Sequence, residues 1–245
     1  LEIDLDHLKS QFDEKTRAVV IPHYFGIRQR AMPAVSKLCS ERNVLLIEDC
    51  AHAFLSSSPE IAFGVTGAMA IACMHKFYPT PSCGLLRANS EKITLGAATP
   101  ASLTQDLREY VELVETADRS SLLYPLAVGL GMARPVVNWM RKRSGCSLID
   151  QGTAVRSQNR FKWLVPQQLG MAGPRLAQGL VRRARHSYIV SARRRAFERL
   201  DEAFKTLAGA TPMFPELPAE TVPYVYPLVL KKPEAAFRQL KAKAV

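Results

Sequence analysis

The sequence predicts an α/β fold: a mostly parallel sheet flanked by helices, followed by a smaller α+β unit. Three observations point there. Short continuous apolar runs, Ala18-Val19-Val20-Ile21 and Val44-Leu45-Leu46-Ile47, alternate with stretches of helical spacing. Continuous apolar strands separated by helices suit a parallel sheet buried on both faces. Late in the chain, a Pro-rich link after Gly209 leads into a second strand and helix, Tyr224–Leu230 and Ala235–Lys243.

The elements follow in order. Leu5, Leu8 and Phe12 share one helical face, and Pro22 closes the first strand. Met32–Arg42 is helical, with Val35 and Leu38 together and Cys39 beside them. The second strand ends in Glu48-Asp49. Ala68–Cys73 and Leu85–Arg87 are two more strand candidates, the latter after a turn containing Pro and Gly. Residues 101–143 have a helical pattern interrupted near Pro125 and Pro135, and 144–173 read as loop. A long basic helix is expected from about Pro174 to Leu207, with Leu176, Leu180, Ile189, Phe197, Leu200 and Phe204 as its apolar positions. The expected organisation is a large unit over 1–190, with a helical insertion at about 101–173, and a small unit over 191–245. No internal repeat is present. The chain opens on Leu1 rather than Met and stops at Val245 inside an expected unit, so it reads as a fragment.

The 245 residues are 47% hydrophobic and 22% charged, ordinary for a folded soluble protein. No apolar run reaches the roughly 18 residues of a membrane span, and no signal peptide opens the chain. The 5 cysteines are odd in number and form no C-x-x-C pair. That argues against a disulfide framework or zinc site and for a reducing, cytoplasmic setting. The net charge is +11, concentrated in Arg182-Arg183-Ala184-Arg185 and Arg193-Arg194-Arg195. A solvated helix face is the plain reading; the sharper ones are an anionic substrate, a membrane surface or nucleic acid. No nucleic-acid-binding module is evident.

Two segments could carry chemistry. In open α/β sheets, ligands gather beyond the carboxyl ends of the strands. His23 follows the first strand and Asp49 ends the second. A carboxylate there needs a cationic partner, such as a protonated pyridine nitrogen; it could equally cap a helix or join a salt bridge. Lys76 lies just beyond an apolar strand among aromatic neighbours. Partial burial would favour its free amine as a nucleophile, although most lysines in loops are merely exposed.

Taken together, Ile21-Pro22-His23-Tyr24-Phe25-Gly26, Ile47-Glu48-Asp49-Cys50-Ala51-His52-Ala53 and His75-Lys76-Phe77-Tyr78-Pro79-Thr80-Pro81-Ser82-Cys83-Gly84-Leu85-Leu86 resemble the DegT/DnrJ/StrS family of pyridoxal-phosphate (PLP)-dependent sugar aminotransferases. The second segment matches the family's I-E-D-x-A-[QH]-A stretch. The third aligns with R-K-x-x-P-x-P-D-G-G-x-L of one branch. Ala192-Arg193-Arg194-Arg195 and Pro223-Tyr224-Val225-Tyr226-Pro227-Leu228 look like parts of its second domain.

The resemblance implies the type I fold of PLP-dependent transferases, with PLP as cofactor. It makes Lys76 the Schiff-base lysine and Asp49 the partner of the pyridinium nitrogen. His52 would lie against the ring or its phenolic oxygen. His23 would pack behind the ring and support Asp49. Cys73 takes the nearest place to the family's phosphate-binding serine. The implied reaction moves an amino group from an amino-acid donor to a keto-sugar, nucleotide-linked as the resemblance implies, within a homodimer.

The chain departs from the family at Ala68, where Asp is usual, and at Ser82-Cys83, where Asp-Gly is usual. If the chain is a fragment, as expected, the family's N-terminal phosphate loop and the end of its small domain would lie outside it. These departures keep open a catalytically impaired relative with a scaffold or regulatory role. His75, beside Lys76, also leaves open a dehydrating relative that uses a histidine in the lysine's place.

Overall fold

The computed structural model describes residues 2–58, 62–115 and 170–243, together with Pro125 and Val128. Two compact units divide the chain. One comprises Leu1–Tyr78, Gly84–Leu95 and Arg183–Val245; the other comprises Pro79–Cys83 and Gly96–Arg182.

The first unit is built on a four-stranded sheet of β1 (Ala18–Pro22), β2 (Leu45–Asp49), β3 (Met69–Cys73) and β4 (Gly84–Ala88), in that spatial order. The first three strands run parallel and β4 is antiparallel to β3. Two helices, α1 (Leu5–Ser10) and α2 (Met32–Glu41), supply the apolar partners of one face. Asp4 starts α1 by accepting the N–H groups of Asp6 and His7, an N-cap that satisfies two orphan donors. Pro33 sits in the first turn of α2, where its missing N–H costs nothing. Ile21, Leu46, Met32, Val35 and Cys39 form the buried core, with Leu5, Leu8, Phe12 and Val19 packed at its edge. Each fully buried aliphatic side chain contributes roughly 1.5–3 kcal/mol.

Register decides what faces where. Val20, Ile47 and Met69 are neighbours across β1–β3, as are Pro22, Asp49 and Ile71. These residues alternate with the core set and so share the opposite face. On that face Val20 is 53% exposed, Ile71 39% and Leu86 of β4 50%. Asp49 therefore lies on the open face of the sheet, and its neighbour Glu48 on the covered one.

The long basic helix predicted over 174–207 is two helices, α4 (Arg175–Arg183) and α5 (His186–Phe204), with Arg185 outside helical geometry (φ -78°, ψ 85°) between them. The spacing explains the break. At about 100° per residue, the nine steps from Leu180 to Ile189 carry the apolar stripe to the opposite side. One continuous helix could not bury both halves. The strand predicted over Tyr224–Leu230 is shorter too. Only Leu228–Leu230 (β6) pairs, antiparallel to β5 (Ala210–Pro212). Pro223 and Pro227 lack the N–H a ladder needs, and the Tyr224 N–H goes to the Phe25 carbonyl at 3.3 Å. A helix, α6 (Pro233–Lys243), follows.

The second unit contains α3 (Leu103–Glu115) and α4. Buried Glu109 of α3 accepts both the N–H and the hydroxyl of Ser82, at 3.1 and 2.7 Å. Cys83 beside it has φ 100°, a region that favours glycine. The pattern expected over 116–124 and 129–169, including Pro135, lies outside the described residues.

Candidate active site

Because β1, β2 and β3 are parallel, their carboxyl ends fall on one edge. Each hands the chain to a functional candidate. β1 leads into His23 and a tight 3₁₀ turn, Tyr24–Gly26; β2 ends at Asp49; β3 runs through Cys73 into a second 3₁₀ turn, Met74–Lys76. This is the binding edge of an open α/β sheet.

Lys76 is half-buried, and its Nζ lies 5.3 Å from the centre of the Tyr224 ring, within reach of a cation–π contact. The Tyr224 ring stacks on His52, with centroids 4.7 Å apart and planes 24° from parallel. Phe25 lies nearly parallel to His52 as well, at 6.0 Å. His52 Nδ1 accepts the Phe25 N–H at 3.5 Å, a long bond that leaves the proton on Nε2. Burial, and then the Lys76 cation, hold the His52 imidazole below its ordinary value, against an opposite pull from Asp49. Lysine, carboxylate and imidazole are thus one electrostatic group.

Asp49 is tied by Oδ1, which accepts the Ala51 N–H at 2.9 Å and fixes the turn that carries His52. The Cys73 Sγ lies 3.1 Å from His75 Nδ1. Burial pushes the Cys73 thiol up; Lys76 lowers it and Asp49 raises it, so the thiol senses both ends of the group.

His23 is 1% exposed, and its ring turns away from Asp49. Its Nε2 pairs with Glu48 Oε2 at 3.0 Å, and its Nδ1 accepts the Gln29 N–H at 3.3 Å. Only its backbone reaches Asp49, through the His23 N–H on the Asp49 carbonyl at 3.0 Å. Glu48, also 1% exposed, accepts the Thr66 and Gly67 N–H groups through Oε1, both at 2.6 Å. Burial pushes this carboxyl up, but the hydrogen bonds from His23, Gly67 and Thr66 outweigh it and hold the group below its ordinary value.

Three groups at this edge were not singled out by sequence reasoning: Glu48, Tyr224 and the strained turn Tyr24–Gly26. Phe25 has φ 59° and Gly26 φ 94°, so two successive residues sit in the left-handed region. Strain of that kind clusters at functional sites. A Cβ on Gly26 would lie 2.6 Å from the Val222 carbonyl oxygen, so only glycine lets the 222–224 loop close down here.

The architecture defines a class before any finer identity. Among 72 matching solved chains are the aminotransferase TlmJ from Streptoalloteichus hindustanus (20% identity, TM-score 0.55), Helicobacter pylori PseC, an aminotransferase involved in the biosynthesis of pseudoaminic acid (17%, 0.54), and the sugar aminotransferase CalS13 from Micromonospora echinospora (17%, 0.54). They cover 97%, 99% and 99% of this chain, which in turn spans 53%, 53% and 56% of theirs. The fold is that of the PLP-dependent aminotransferases. The profile of the DegT/DnrJ/EryC1/StrS aminotransferase family matches residues 1–83, the stretch that holds His23, Asp49, His52 and Lys76. No curated protein sequence matches it. Among the described residues, no helix is long and apolar enough to cross a membrane.

Proposed function

We propose that this chain carries the lysine-bearing half of a PLP-dependent sugar aminotransferase site. The amino group would move from an amino acid to a keto-sugar, with a nucleotide-linked sugar as the preferred acceptor class. One observation supports this above the others: Lys76, Asp49, His52 and Tyr224 converge beyond the carboxyl ends of three parallel strands.

The donor set fits the ring end of the cofactor. A primary amine, a carboxylate and a stacked imidazole are the groups that an aldehyde, a pyridinium and a phenolic oxygen require. When bound, PLP supplies an electrophilic aldehyde and an electron-withdrawing ring. Lys76 Nζ would be the amine that holds it, and the base that would take and return the substrate proton. Asp49 keeps the proton on the pyridine nitrogen. With Oδ1 engaged by Ala51, its other oxygen remains for that contact. The Nε2–H of His52 is the donor for the ring oxygen. Cys73 would line the site beside them, and His23 would support Asp49 from behind through its N–H on the Asp49 carbonyl. The basic surface suits an anionic acceptor. A homodimer and a cytoplasmic setting belong to the same reading.

The test is a half-reaction. With PLP and an amino donor such as glutamate, the wild-type protein should show conversion of the cofactor's absorbance band to the amino form. The Lys76→Ala protein should not. Equal conversion by both proteins would reject the role of Lys76.

The second reading, a catalytically impaired relative, draws on the Ser82-Cys83 turn. Ser82 is committed to Glu109, and Cys83 occupies a backbone conformation suited to glycine. Glutamate-dependent amination of a keto-sugar by the intact protein would exclude it.

A further inference from the structure

Arg193 of α5 sits behind the Lys76 turn. Its guanidinium contacts no carboxylate among the described residues. It donates instead to three backbone carbonyls: Nη1 to Pro223 and Tyr224, each at 3.3 Å, and Nη2 to Lys76. The Phe77 ring lies 4.7 Å from its Cζ and covers one face of the group. Burying a cation is unfavourable unless its donors are met, and burial does pull this guanidinium down from its ordinary value. The three carbonyls and the aromatic face compensate.

The choice of carbonyls is informative. In the 3₁₀ turn Met74–Lys76, the N–H groups of Phe77 and Tyr78 both return to the Met74 carbonyl. The Lys76 carbonyl is therefore left over, as carbonyls at helix ends are. The Pro223 and Tyr224 carbonyls lie in a segment that forms no ladder. One planar fork thus joins two pieces of backbone that nothing regular holds together: the turn presenting the Lys76 amine, and the loop presenting the Tyr224 ring over it. Arginine's fixed fork can do this, whereas the single ammonium of lysine cannot span both. Neighbouring Arg194 makes a similar set of bonds elsewhere, to the carbonyls of Pro218, Ala219 and Thr221 at 3.0, 2.9 and 2.6 Å. Among the described residues it has no bond to the Lys76 turn.

We infer that Arg193 is a positioning residue for Lys76, clamping the turn that carries the amine to the Tyr224 loop so that the amine stays against the tyrosine ring and within reach of Asp49 and His52. Its consequence for catalysis rests on the aminotransferase reading; the clamp itself does not.

The experiment is competitive acylation of the cofactor-free protein by a limiting amine reagent. Mass spectrometry then scores Lys76 against Lys9 and Lys37, whose side chains are 55% and 79% exposed. In Arg193→Ala the relative labelling of Lys76 should rise roughly fivefold or more, the scale of change that one lost hydrogen bond supports. Arg194→Ala removes an equivalent cation and should leave the Lys76 ratio at the wild-type value. Arg193→Lys keeps the charge and the stem, and so remains measurable if the alanine variant fails to fold. It should show the same rise, because it cannot span both backbones. Millimolar guanidinium should restore the wild-type ratio in Arg193→Ala. Wild-type labelling in both Arg193 variants, or an equal rise in Arg194→Ala, would overturn the inference. If the wild-type protein instead takes up no PLP, the aminotransferase reading fails while the labelling still judges the clamp.

Discussion

Replacing Glu48 with Gln tests whether the buried His23–Glu48 pair organises the site edge. The side chain keeps its shape but exchanges one acceptor oxygen for a donor. His23 Nδ1 accepts from the Gln29 N–H, so the ring proton is on Nε2, facing Glu48 Oε2. The amide has two poor choices. With its NH₂ toward His23, two donors confront each other. With its NH₂ toward the turn, it meets the Thr66 and Gly67 N–H groups, which now sit 2.6 Å from Oε1. Losing a charge-assisted bond removes about 1.5–3 kcal/mol, and stranding a buried donor adds about 1–3 kcal/mol. Together these give an expected loss of about 2.5–6 kcal/mol. Urea denaturation, comparing midpoints at constant slope, measures it. The acid limb provides a second check. The folded Glu48 carboxyl is held below its ordinary 4.5. Its stabilisation is therefore full above pH 4.5 and is lost as pH falls through the folded value. The Gln variant should lack that part of the acid dependence. A loss under about 1 kcal/mol, below the cost of one stranded buried donor, with an unchanged acid limb, would refute the reasoning.

Further outcomes follow from single residues. Gly26→Ala must place a Cβ 2.6 Å from the Val222 carbonyl oxygen at a φ of 94°, so it should destabilise the fold by at least about 1–3 kcal/mol of backbone strain; a urea midpoint within error of wild type would contradict this contact. Burial first, and then Lys76, depress the folded His52 value below 6.5, so its contribution to stability is complete above that pH and is lost as pH falls toward the folded value. Unfolding midpoints between about pH 5 and 8 should therefore fall less steeply on the acid side in His52→Gln than in wild type. Burial, together with the Glu48 and Asp49 carboxylates, pushes the Cys50 thiol up to about 12. In mildly alkaline buffer, peptide mapping after thiol alkylation should find Cys50 protected in the native protein and labelled after unfolding.

Much of the sheet could be read from the chain, because a strand buried on one or both faces leaves an apolar run. The runs at 18–21 and 44–47 became β1 and β2, and strand order alone brought His23, Asp49 and Lys76 to one edge. What one strand does not reveal is direction. His23 reads as a support for Asp49, but register pairs Ile21 with Glu48 and Pro22 with Asp49. The Glu48 side chain accordingly enters the covered face and claims the imidazole. Tyr224 was hidden for a different reason. Its stretch is rich in β-formers, yet the flanking prolines keep it out of the ladder and leave its ring free to lie over His52 and Lys76. The split between α4 and α5 was present in the sequence as a reversed apolar stripe. The arginine run reads as a solvated face, and Arg182, Arg183 and Arg195 are indeed exposed, but Arg193 and Arg194 are half-buried and turned onto backbone carbonyls. Charge alone does not distinguish the two uses of arginine.

The central claim is that Lys76 is the amine this site offers to PLP. The most direct measurement is borohydride reduction of the protein incubated with PLP, followed by peptide mapping of the modified lysine. The account predicts a pyridoxyl group on Lys76, absent from Lys76→Ala, and weakened uptake in Asp49→Ala. A label spread over exposed lysines such as Lys9 and Lys37, with Lys76 unmodified, would contradict it.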